Sequence, residues 1–271
     1  MKFTSRMLLT MLVILIAGLF FSNFILKNEF DKADKTDNYW NYEKLLNQPF
    51  KYLKITGGNG TRIAYEQSQK CSVRILQEWE RWHGGKINAR VSNDTLLINF
   101  DFVPTNLYEK FWMQNATTVR IFSPYLLSVD GYNTHFEMFK LKQRSIRVNM
   151  SGKSSFEIES LFPSLDSLTI HQSDSSEVVF EMSPDFERRP TTEAKPVITI
   201  EDTVKGSVIH FTPGVTQIKS KEAMIIESVN AVVQGYSLLD LGHAQIKSLQ
   251  LSIADSSAII LSGGALRKMR Q

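Results

Sequence analysis

The stretch "LTIHQSDSSEVVF", Leu168 to Phe180, returns later in the chain as "LQLSIADSSAIIL", Leu249 to Leu261. In both copies an aspartate and two serines separate two short apolar runs, in register and without a gap. Serine, aspartate, glycine and asparagine suit points where a strand ends and the chain turns, because their short side chains bond nearby backbone groups or tolerate unusual dihedrals. "SGKSS", Ser151 to Ser155, carries the same idea with one extra residue. We read these as equivalent corners rather than as nucleophile sites. No G-x-S-x-G elbow surrounds the serines, and no ordered histidine and acid accompany them.

Working outward from these corners, the surrounding sequence has period two. "FKYLKIT", "TRIAYEQ", "CSVRIL" and "TLLINFDF" are short alternating runs separated by "GGNG", "SQK", "HGG" and "SND", the punctuation of a sheet protein. From Thr118 the runs become more regular, from "TVRIFSP" through "SIRVNMSG" and "SEVVFEM" to "PVITIEDT", "GSVIHFT", "AMIIESV", "AVVQGY" and "SAIILSGG". Ile146 and Leu168 stand 22 positions apart, a period at which solenoids cover the open apolar face of one coil with the next. One helix is expected, over Pro104 to Gln114. "EMSPDFERRPTTEAKP", Glu181 to Pro196, breaks the rhythm with three prolines and is expected to be an exposed, partner-binding loop.

The N-terminus reads differently. Met7 to Leu26 is twenty residues without a charge, which at helical rise spans about 30 Å, the thickness of a bilayer's hydrocarbon core. Lys2 and Arg6 precede it, and neither an A-x-A cleavage pattern nor a lipoprotein cysteine ends it. The expectation is an uncleaved signal anchor with Lys27 to Gln271 outside the cytoplasm. The chain then divides into a transmembrane helix over 1–26, a spacer over 27–49, a first β-rich part over 50–117 and a β-solenoid part over 118–271.

Of 271 residues, 42% are hydrophobic and 22% charged, enough to bury a sizeable core. The net charge of +3 is too small for a dedicated nucleic-acid binder. The densest basic run, Lys140 to Lys153, alternates with Leu141, Ile146 and Val148 and reads as a strand with a solvated face. The single cysteine, Cys71, cannot form an internal disulfide and is expected to be a buried structural thiol.

Residues that carry chemistry are scattered. Glu157, Glu159, Asp166, Asp174, Glu177 and Asp255 form no dense acidic motif, and alternation puts many of them on solvated faces. His83, His135, His171, His210 and His243 lack any metal-ligand spacing. Phe111, Trp112, Phe122, Tyr125, Tyr132, Phe136 and Phe139 crowd one stretch and are read as covering an end of the core rather than as a sugar-stacking platform. Asn59, Asn93, Asn115 and Asn149 begin N-x-[ST] triplets. No catalytic, cofactor-binding or metal-binding residue is assigned, and no cofactor is expected.

Three quoted segments, "FKYLKITGGNGTRIAYEQSQKCSVRI", "INARVSNDTLLINF" and "VRIFSPYLLSVDG", with the repeated L-x-I and S-x-S-S units, resemble the auto-transporter adhesin head, GIN domain family of bacterial envelope proteins common in Bacteroidetes. The resemblance covers Phe50 to Leu266. It departs from the family pattern at the corners, where "SDSS" and "ADSS" stand in place of glycine-containing forms such as "SGAS" or "SGSG". The resemblance implies an all-β, right-handed β-helix-like solenoid displayed in the envelope. The anchored N-terminus favours a single-pass inner-membrane protein facing the periplasm. Its expected role is non-enzymatic: binding an envelope protein or glycan as an adhesin-like or scaffold module. A polysaccharide-acting enzyme on a β-helix scaffold is the alternative. In that bacterial setting "DTL", "DSL" and "DTV" make Thr95, Ser167 and Thr203 candidates for O-glycosylation.

Overall fold

Alternating side chains make a strand with one dry face, and strand β2 (Tyr52–Thr56) shows the rule at its simplest. Leu53 and Ile55 are fully buried, while Tyr52 and Lys54 between them are exposed. A computed structural model describes residues 3–32, 36–102, 107–160, 164–182, 225–242 and 244–261. The chain forms two compact units, Met1–Glu43 and Lys44–Gln271.

The first unit contains helix α1 (Phe3–Lys32). Within it Met7–Asp31 contains an 18-residue window with a mean hydropathy of 2.4 and is long and apolar enough to cross a membrane, as a signal anchor or a signal peptide would. Its apolar side chains, among them Leu8, Met11 and Phe20, are exposed on all sides. A helix apolar all round needs a nonaqueous surrounding.

The second unit is built mostly of strands in two large sheets. One sheet runs in the order β16 (Gln245–Ile253), β14 (Ile225–Val233), β12 (Ser164–Gln172), β10 (Ser145–Ser151), β8 (Ser128–Tyr132), β2, β6 (Thr95–Phe100), β5 (Ile87–Ser92). The other runs β1 (Tyr42–Leu46), β4 (Ser72–Leu76), β7 (Thr117–Ser123), β3 (Arg62–Gln67), β9 (His135–Leu141), β11 (Ser155–Ser160), β13 (Glu177–Met182), β15 (Leu238–Asp240), β17 (Ala258–Ile260). From β8 to β17 successive strands fall alternately in the first and the second sheet, and neighbours within each sheet are parallel. Ile146 pairs with Leu168, the two residues whose spacing stood out in the sequence. Leu168 pairs in turn with Val229, and Val229 with Leu249.

These registers stack like on like. Leu53, Val129, Val148, Ile170 and Ala231 follow one another across the first sheet, all buried. Ile63, Phe136, Phe156, Val178 and Leu239 do so across the second. The core therefore lies along two apolar ladders, one on each sheet.

The corners that opened the sequence lie between the ladders. Ser173–Ser176 joins β12 to β13, and Ala254–Ser257 joins β16 to β17. Thr134, Ser154, Ser176 and Ser237 occupy corresponding last positions of their corners, and all four are buried. The hydroxyls of Ser154, Ser176 and Ser237 bond locally and between strand pairs, whereas that of Thr134 has no hydrogen-bond partner among the described residues. Ser154 Oγ donates to Ser151 O at 2.6 Å and accepts from Thr134 N at 3.2 Å. Ser237 Oγ donates to Gln234 O at 2.7 Å and lies 3.3 Å from Ser176 Oγ. Most buried polar groups are so engaged, because an unmet hydrogen bond costs free energy. The left-handed position is filled by Asn133, Gly152, Asp174 and Gly235, with φ of 51, 68, 66 and 71°. Glycine is thus present at two of these corners, and Asp174 adopts the same backbone where glycine is missing, as aspartate can.

At the other end of the sheets the pairing changes. β5 and β6 form an antiparallel hairpin around Asn93-Asp94, both with positive φ, which is the backbone a two-residue type I′ turn requires. β4 and β7 are also antiparallel. The expected helix is α3 (Leu107–Asn115). A second helix, α2 (Gln77–His83), was not anticipated, because its one buried residue, Trp79, leaves no apolar stripe to read. "AMIIESV" and "AVVQGY", read as two strands, supply the single strand β14, which has no turn at Asn230-Ala231. "PVITIEDT" and "GSVIHFT" lie outside the described residues.

Tyr65 on β3 is fully buried, and its hydroxyl donates to Ser123 O at 3.1 Å. Burial, opposed by the hydrogen bond that Ser123 Oγ donates to the phenol oxygen at 3.1 Å and reinforced by Cys71, pushes the phenol up to about 12 from the usual 10.0. The folded pKa lies above the unfolded one, so this contribution is whole below pH 10 and is lost as pH rises towards 12. Two pKa units correspond to roughly 2–3 kcal/mol. Tyr65→Phe should flatten that alkaline loss in urea titrations at stepped pH, and an unchanged slope would show that Tyr65 ionises like an exposed phenol.

Candidate functional site

The parallel register that stacks the core also stacks what points away from it. Lys54 pairs with Asp130, Asp130 with Asn149, Asn149 with His171, and His171 with Val232. These residues come from β2, β8, β10, β12 and β14, and each is flanked on its strand by buried core residues, so they form one row on the outer face of the first sheet. The next row holds Tyr132, Ser151, Ser173 and Gln234. Together they line a groove of ≈ 390 Å³.

The groove offers an ammonium, a carboxylate, amides, an imidazole and hydroxyls. Asn149 Nδ2 donates to Asp130 Oδ1, which fixes both side chains. Tyr132 is 51% exposed and presents the one phenol ring of the lining among the described residues. Gln172 on β12 is buried, and its Nε2 donates to Leu238 O at 2.9 Å and Ser176 O at 3.2 Å. Its Oε1 has no hydrogen-bond partner among the described residues.

Asp130 and His171 are two strands apart, about 9–10 Å at the usual strand spacing, too far for one to orient the other as an acid–base pair. Among the described residues Asp130 is the groove's single carboxylate. Hydrolysis of a glycosidic bond by paired acids needs a second one about 5–9.5 Å away. What this surface can do is exchange hydrogen bonds along a line and stack one ring.

Of the residues singled out in the sequence, His135 and Glu157 come together beside Glu137, with one donor atom of each within 4.8 Å of the others, and the rest are dispersed over the structure. Glu157, Asp166, Asp174, Glu177 and Asp255 are exposed, as alternation and the corner positions required, and Glu159 is half-buried. His171 lines the groove and His135 sits on β9, while His83 packs against Trp79 and Phe102 with ring centroids 4.7 and 4.4 Å away. His210 and His243 lie outside the described residues, as do Thr203 and all but the first two residues of the Glu181 to Pro196 loop. Cys71 is partly buried and packs against the core rather than lying within it. Of the seven crowded aromatics, Phe122 and Phe136 are buried, Trp112 and Phe139 are half-buried, and Phe111, Tyr125 and Tyr132 are exposed. Tyr132 alone of them reaches the groove. Lys54, Asp130 and Gln234 went unnoticed because each is an ordinary polar residue of its own segment, and only the register of the strands aligns them. Spacings of 19 and 22 between Asp130, Asn149 and His171 were the available signal.

No family model matches the chain, and no curated protein matches it. Among solved structures, it is similar to a candidate adhesin from Bacteroides fragilis at 14% identity, with a TM-score of 0.38, covering 82% of this chain and 96% of that one. It is similar also to a candidate lipid-binding protein from Parabacteroides distasonis at 11% identity, TM-score 0.36, covering 82% and 94%. A candidate adhesin from Parabacteroides merdae matches at 13% identity, TM-score 0.32, covering 82% and 95%.

Proposed function

We propose that the protein is a non-enzymatic envelope component that binds a glycan in the groove on its first sheet. The row of Lys54, Asp130, Asn149 and His171 beside Tyr132 carries this reading. Evenly spaced polar side chains match the repeated hydroxyls of a sugar chain, and an exposed ring matches its apolar face. The parallel registers and the alternation between sheets support a right-handed β-helix-like solenoid over 118–271, stacked on the first β-rich part. The resemblance to GIN-domain proteins goes with that architecture. The apolar helix supports a single-pass anchor in the inner membrane, with the strands in the periplasm and the spacer between.

The test is capture by the full chain in native membranes after gentle crosslinking. The wild type should retain an envelope polysaccharide that survives protease treatment. The double substitution Tyr132→Ala and Asn149→Ala should lower the yield about tenfold, since each lost contact is worth on the order of 1 kcal/mol. A captured species that protease destroys entirely would replace the glycan with a protein partner. Shortened glycan in the eluate would favour the enzyme alternative. Removal of Ser183 to Pro196, the part of that segment beyond β13, should spare folding, and full capture without it would exclude that loop from the binding surface.

A further inference from the structure

We propose that His135, Glu137 and Glu157 form a binding site for a divalent transition-metal cation, with zinc the best chemical fit. The site lies on the second sheet, apart from the groove on the first, so it does not depend on the glycan reading. Along β9 the fully buried Phe136 separates His135 from Glu137, which places both on the sheet's other face. Glu157 of β11 is the register partner of Glu137. One donor atom from each of the three residues lies within 4.8 Å of the other two.

Three features point to a cation rather than to a solvated cluster. His135 Nε2 is 3.2 Å from Glu137 Oε1, yet it is shielded from solvent and makes no hydrogen bond among the described residues. Atoms at that separation without hydrogen-bond geometry match two ligands of one ion: tetrahedral zinc, with bonds of about 2.0–2.1 Å, sets its ligands about 3.3 Å apart. Next, Glu137 is only 3% exposed although it faces outward. A buried carboxylate requires close compensation. The guanidinium paired with it, that of Arg62, holds Nε at 3.5 Å, beyond the usual reach of a charge-assisted hydrogen bond, and that Nε has no hydrogen-bond partner among the described residues. Finally, Glu157 stands directly beside Glu137 in the ladder, where like charges destabilise. A doubly charged ion between them would turn that repulsion into ligation.

The donor set selects the ion class. One imidazole nitrogen with two carboxylate oxygens suits zinc and its first-row neighbours, whereas calcium and magnesium favour oxygen alone. Glu157 is exposed, so water has access to the fourth position.

The experiment uses the full chain in detergent, without a polyhistidine tag, stripped by a chelator and titrated with zinc in a calorimeter. Zinc should bind at one ion per chain. His135→Gln and Glu157→Gln each remove a donor at a position that is not part of the core, and each should weaken binding by at least about tenfold, since even outer-shell partners of metal ligands cost that much. Circular dichroism of both variants should keep the wild-type strand signal, and zinc should raise the melting temperature of the wild type more than that of either variant. Failure of the wild type to bind one equivalent overturns the site. So does a loss of less than tenfold in either variant.

Discussion

Gly235→Ala is expected to lower stability by about 3 kcal/mol or more, read as a fall in the urea midpoint at unchanged slope. Gly235 has a φ of +71°, and an added Cβ would meet Asp174 O at 2.5 Å and Asp174 N at 2.8 Å. Both are backbone atoms, so no rotamer change relieves the clash. The dihedral alone costs roughly 1–2 kcal/mol for an L-residue. The contact cannot open cheaply either, because Tyr236 N donates to the same Asp174 O at 2.6 Å, and Ser256 and Ser257 both donate to Gly235 O. Moving this backbone would disturb three successive corners. Gly242→Ala is the control: its φ of +51° is also left-handed, but its Cβ would meet only Phe180 O at 3.6 Å. That variant should lose the dihedral cost alone. Equal losses in the two would show that the corner backbones are not held together as the hydrogen bonds indicate.

The same corners explain how much of the fold could be read beforehand. Strand existence was legible in alternation, and the vertical repeat in the spacing of Ile146 and Leu168, because both are properties of a single chain segment or of a fixed period. The aspartate-serine tetrads were legible because a turn makes a local demand on residue type. Helix α2 was not, since one buried tryptophan in "QEWERWH" carries no periodicity and its packing against Phe102 is long-range. The functional surfaces were hidden for a related reason. Lys54, Asp130, Asn149 and His171 belong to four strands, and Glu157 joins His135 and Glu137 only through the pairing of β9 with β11. In a stacked sheet protein a site is a row across strands. Its residues recur at the repeat length instead of clustering, so they escape a search for compact motifs.

Phe156→Ala should cost about 3–5 kcal/mol, the upper range for losing a buried aromatic. Phe156 and Phe136 are both fully buried and stack with centroids 5.3 Å apart at an interplanar angle of 12°. On its other side Phe156 pairs with Val178. The spacing of β9, β11 and β13 is set by backbone hydrogen bonds at about 4.8 Å, so neighbouring strands cannot close over a missing ring. The cavity therefore persists, and persistence is what separates a costly truncation from a tolerated one. Leu251→Ala supplies the contrast. Leu251 continues the ladder of the first sheet beyond Ala231 but is 38% exposed, so its removal leaves little void and should cost about 1 kcal/mol or less. Against a total stability of about 5–15 kcal/mol, the first substitution would consume much of what holds the fold and the second would scarcely be felt. Similar losses at both positions would mean that Phe156 and Leu251 sit in equally yielding surroundings, and that the ladder through Phe136 and Phe156 is not the rigid centre of the core.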